Sequence, residues 1–84
     1  MWVLVQLMVS LQFDTTKVGP ELDVIARLKN EATCYMLMDD IFVKEQSFVY
    51  KINSATGQKY VSKIEENPLT ERMAFCERIQ NNPK

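Results

Sequence analysis

The sequence contains no histidine, and only two glycines, two cysteines and three prolines among its 84 residues. Without an imidazole, histidine-based acid–base chemistry and histidine metal ligation are excluded. Cys34 and Cys76 stand far apart and make neither a zinc-ligand pattern nor a disulfide framework. They point to a reducing, intracellular setting, cytoplasmic or nuclear, with Cys76 read as a core filler. Neither sign of charge dominates: ten Lys+Arg against eleven Asp+Glu leave a net charge of −1. That excludes the basic footprint of an autonomous nucleic-acid binder and argues against an acidic tail. No apolar run is long enough to span a bilayer, and the opening Met1–Phe13 stretch lacks a basic flank and a small-residue cleavage site, so no membrane partner is expected. A chain of this length buries only about 60–65% of its unfolded surface, which leaves little room for a deep private substrate cleft.

What is present is pattern. Val3, Val5, Leu7, Val9, Leu11 and Phe13 are apolar at every odd position, while Gln6, Ser10 and Gln12 fall between them. This period of two predicts a β-strand with one buried face. Asp14–Lys17 is turn-like, and Pro20 suits a first helical turn, so a helix is expected from Pro20 to Asn30 with Leu22, Ile25 and Ala26 as its stripe. Two β-rich runs follow, Thr33–Met38 and Ile41–Val43. Ser47–Ile52 and Gln58–Ile64 then read as a hairpin around Asn53–Gly57, with Gly57 supplying the positive φ such a connection needs. Asn67-Pro68 has the chemistry of a helix start, and Leu69, Met73, Cys76 and Ile79 recur at helical spacing, widened by Phe75. The expected fold class is α+β, an antiparallel sheet with two helices packed on one face.

From Tyr35 onward the chain resembles the small, ATP-binding lobe of a Ser/Thr protein kinase. Tyr35–Ile41 is similar to the lead-in to the first strand, and Ser47–Lys51 to the run leaving the glycine-rich loop. Ala55–Ile64 is similar to the turn and third strand ending in the nucleotide lysine, and Pro68–Phe75 to helix C with its glutamate. Asn82-Pro83-Lys84 is similar to the segment after that helix. The nearest likeness is to the carboxy-terminal, calmodulin-dependent-kinase-like domain of growth-factor- and stress-activated tandem kinases. The resemblance covers residues 31–84 and leaves residues 1–30, read as a strand and a helix, unassigned.

The resemblance implies ATP as ligand. It places Lys63 on the α/β-phosphates and Glu71 as the carboxylate that orients it. Ile41 and Val49 would cover the adenine, and Val61 would line its other side. The glycine-rich loop is replaced by Phe42-Val43-Lys44-Glu45-Gln46-Ser47, without a glycine, although the loop backbone must approach phosphates closely. The catalytic-loop and metal-binding aspartates belong to the second lobe, so neither Mg²⁺ binding nor phosphoryl transfer is expected of these residues alone. Two readings stand side by side. One is a truncated or degenerate kinase lobe, pseudokinase-like, with a remnant ATP site. The other is a small α+β protein-interaction module without nucleotide binding, whose protein partner lies on an exposed sheet or on the surface that would face a second lobe.

Overall fold

The computed structural model describes residues 1–10, 21–66 and 69–79. Strands β1 (Trp2–Ser10) and β2 (Glu21–Leu28) come first. Helix α1 (Glu31–Met38) follows and continues through wider, i→i+5 turns over Asp39–Lys44. Strands β3 (Val49–Ile52), β4 (Lys59–Glu65) and β5 (Thr70–Arg78) complete the order. All neighbours in the sheet are antiparallel, in the order β2-β1-β5-β4-β3. The class is α+β, but the described residues hold one helix of 14 residues where two were expected. Residues 1–30 and 31–79 share this sheet, because β1 pairs with β5 along its full length, from Trp2 opposite Arg78 to Ser10 opposite Thr70.

The strand expected at the amino terminus is β1, but it lies between β2 and β5 rather than at an edge. Paired residues on adjacent strands share a face. Leu4 lies opposite Cys76 and Ala26, and all three face α1. The helix therefore covers the even face of β1. The odd residues, read from the sequence as the core face, point away from it.

Three further expectations are corrected. The segment read as a helix from Pro20 is β2. Leu22, Val24, Ala26 and Leu28 alternate as a strand requires, but a bulge at the Leu4/Val5 register inserts Ile25. That bulge sends Leu22 and Val24 to the far face and Ala26 and Leu28 to the helix face. Conversely, the runs Thr33–Met38 and Ile41–Val43, read as strands, are helical. The Asn30 side chain accepts a 2.9 Å hydrogen bond from the Thr33 amide, which caps the helix. Glu31 complements the positive helix end, and Cys34, Met38 and Phe42 recur at intervals of four as its buried stripe. Lastly, the helix expected after Asn67-Pro68 is β5. Its Met73 and Phe75 face one side, and its Ala74 and Cys76 the other. A strand apolar on both faces hides its period of two. The expected turn at Asp14–Lys17, the start signals Pro20 and Asn67-Pro68, and the segment Asn82-Pro83-Lys84 lie outside the described residues.

The hairpin stands where it was expected. Asn53 Oδ1 accepts from the amides of Ala55 (2.9 Å) and Thr56 (3.3 Å), and Gly57 takes φ +77°. The core lies between sheet and helix. Leu4, Cys34, Met38, Phe42, Phe48, Val61, Ala74 and Cys76 are all nearly inaccessible to solvent. Ala74, with almost no side chain, lets the helix lie close on β5. Cys34 of α1 and Cys76 of β5 form a disulfide with Cα atoms 6.1 Å apart. This corrects the reading of two separate thiols and removes the ground on which a reducing compartment was expected.

Candidate functional site

The five residues that the resemblance assigns to a nucleotide site are divided between the two faces of the sheet. Lys63 pairs with Arg72, and Ile64 with Glu71. Lys63 therefore lies on the helix side and Glu71 on the far side, so the lysine–carboxylate pair is not formed. Val61 is fully buried beneath the helix, and Ile41 packs against that core. Val49 pairs with Ser62 and is 56% exposed on the far face. Two cavities open on the surface, of about 590 Å³ and 370 Å³, and none of the five lines either one. The segment Phe42–Ser47, aligned with the glycine-rich loop, is instead the end of the helical stretch. The Ser47 amide donates to Val43 O and the Phe48 amide to Phe42 O, and Ser47 itself takes φ 64°.

Lys63 has a structural employment. Its Nζ donates a 2.9 Å hydrogen bond to the Gln46 carbonyl, tying the segment after the helix to β4. The neighbouring Arg72 stacks its guanidinium 5.2 Å from the Phe48 ring centroid, donates to Gln6 Oε1 at 2.9 Å and meets Glu65 at 3.4 Å. Sequence reasoning missed Arg72, because a half-buried cation beside a core aromatic carries no local signal. Among the described residues no group of three or more His, Cys, Asp or Glu side chains could hold a metal ion.

The one strongly shifted titration follows from a contact at the helix end. Tyr50 Oη donates a 2.6 Å hydrogen bond to Asp39 Oδ1. That bond first, then burial and the repulsion of the same carboxylate, push the phenol from 10.0 up to about 12. Tyr35 also moves upward, through burial and then the nearby Glu31. Because the folded value for Tyr50 exceeds the unfolded one, the bond's contribution is complete below pH 10 and is lost as pH rises through about 12. Titration of phenolate absorbance will show a component near pH 12 that Tyr50→Phe removes. Were Tyr50 to ionise with an ordinary tyrosine midpoint, the bond to Asp39 would not exist in solution.

The feature with the clearest capacity for recognition is the far face. Across adjacent strands one row runs Val24, Val5, Phe75, Tyr60, and the next runs Leu22, Leu7, Met73, Ser62, Val49. Ile64 and Val9 flank Glu71 beyond them. Leu22 (59%), Val24 (49%), Val49 (56%) and Ile64 (55%) are well exposed, whereas Val3, Val5 and Ser62 on the same face are buried. No described element is layered on this face, and the cavity of about 370 Å³ lies in it between Leu7, Tyr60, Met73 and Phe75. The alternation in β1 pointed to an apolar face. What the sequence withheld was that helix and apolar stripe lie on opposite sides.

No family model matches the chain, and neither the curated proteins nor the solved structures include a significant match. Among the described residues no helix is long and apolar enough to cross a membrane.

Proposed function

We propose that the protein is a small interaction module that works through the face of its sheet opposite the helix and does not bind nucleotide. The observation that carries this reading is the apolar stripe from Leu22 on β2 through Leu7 and Met73, resumed at Val49 on β3 beyond the buried Ser62, with no described layer over it. A soluble monomer rarely exposes a contiguous apolar patch beyond a few hundred Å² unless the patch meets something. The remnant-ATP-site reading has less support: Lys63 is occupied with Gln46 O, Glu71 is across the sheet, and neither lines the cavities of about 590 and 370 Å³.

Two measurements on the full chain test the choice. An environment-sensitive apolar dye will bind the wild-type protein at concentrations where it sediments as a monomer. The triple variant Val24→Lys/Val49→Lys/Ile64→Lys will lose most of that signal while keeping its far-ultraviolet dichroism. ATP with Mg²⁺ at millimolar levels will leave the melting temperature unchanged. A saturable ATP-dependent rise that Lys63→Met abolishes would return the site to the nucleotide reading. Equal dye binding by wild type and triple variant would remove the face as the working surface.

A further inference from the structure

Resting on the interaction-module reading, we infer that the occupant of the far face, over which no described element lies, is a second copy of this chain, packed sheet against sheet about a two-fold axis. Three properties of the face point to its own copy. The first is area. Five strands about 4.8 Å apart, seven to nine residues long in the three central members at about 3.3 Å per residue, present on the order of 600 Å². Two such faces bury about 1,200 Å² together, the lower end of the range of specific protein interfaces.

The second is charge. The face carries Arg27 and Lys51 against Glu71 and Glu77, and all four lie around the apolar rows rather than within them. Arg27 and Glu77 flank Val3 at one end, Glu71 flanks Val9 at the other, and Lys51 sits on the edge strand. A self-facing surface must tolerate its own charges in an isologous contact. This one is balanced, two against two, and a chain of net charge −1 adds almost no repulsion between copies. A partner of strong single-sign charge would find no complementary field here.

The third is form. The accessible part of the face is made of aliphatic, aromatic and methionine side chains on a twisted antiparallel sheet, with Val5 and the lone small polar member, Ser62, buried beneath their neighbours. Two such sheets stack about 10 Å apart with their inner side chains interleaved, as in a sandwich. The depression between Leu7, Tyr60, Met73 and Phe75 gives the partner's perimeter residues a place to enter.

Sedimentation equilibrium of the oxidised full chain tests this, with concentrations spanning about 1 to 200 µM. The wild type will pass from the 9.8 kDa monomer to twice that mass within the series. Val49→Lys/Ile64→Lys, and independently Val24→Lys, will weaken association about tenfold or more while retaining native dichroism. Met36→Lys, at a position 61% exposed on α1, will associate as the wild type does. A wild type that stays monomeric throughout while its face still binds dye overturns self-association and leaves the face to a different protein. Loss of both dimer and dye binding overturns the module reading as well. Dimers unaffected by the face variants would place the contact elsewhere, on the free edge of β2 or β3, and overturn the inference equally.

Discussion

Replacing both Cys34 and Cys76 by serine will lower the stability of the fold by about 4 kcal/mol, one of the two largest effects expected in this protein. The bond closes a loop across a sequence separation of 42 residues. In the chain-entropy account, cross-linking a loop of that size removes about 4 kcal/mol of conformational freedom from the unfolded ensemble. The bridge also joins the only described helix to a central strand, so both sulfurs lie in the core and neither is accessible to solvent. For a domain of this size the expected fall in melting temperature is about 15 °C or more. Thermal unfolding of the double variant checks this, and a reducing agent should reproduce the effect in the wild type but not in the variant. A shift of only a degree or two in both would mean that the two thiols are unbonded in solution.

The second large effect belongs to Phe42. Its ring is 1% exposed, sits 5.0 Å from the Phe48 ring and holds the helix extension against the sheet. Truncating a buried phenylalanine removes its transfer free energy and leaves a cavity, so Phe42→Ala is expected to cost about 3–5 kcal/mol. The extension also carries Asp39, Asp40 and Lys44, whose ion pairs at 3.4–3.8 Å are exposed and contribute little. Packing of Phe42 therefore holds this segment. Denaturant unfolding should show the loss in full, accompanied by return of the Tyr50 phenol to an ordinary midpoint as its Asp39 partner moves away. A cost under about 1 kcal/mol would show that the site collapses around the missing ring and that the helical extension is anchored elsewhere.

The hairpin was legible because its determinants are local: Asn53 bonds its own following amides and Gly57 takes the positive φ. The first strand was legible because its alternation is long. The helix was misread although its signals were present, with Asn30 as cap, Glu31 in the first turn, and Cys34, Met38 and Phe42 four apart. Aromatic and β-branched residues in the same stretch favour strands only weakly. Segment β5 was misread for the opposite reason: a central strand apolar on both faces shows no alternation, and Met73 and Cys76 happen to fall at helical spacing. For the candidate site, the sequence supplied the residues of an apolar face but no means of knowing which side the helix would take.

The sequence by itself determined an α+β class, an amino-terminal strand, a glycine-closed hairpin and an excess of apolar residues that needed covering. Only the tertiary structure decided that Cys34 meets Cys76, that Lys63 and Glu71 are divided by the sheet, and that the described helix covers one face and leaves the apolar residues of the other without a described layer. The reason is that turn and capping signals act within a few residues. Strand order, the bulge at Ile25 and the side on which a helix packs are settled by contacts between residues tens of positions apart, whose pairing no local pattern encodes.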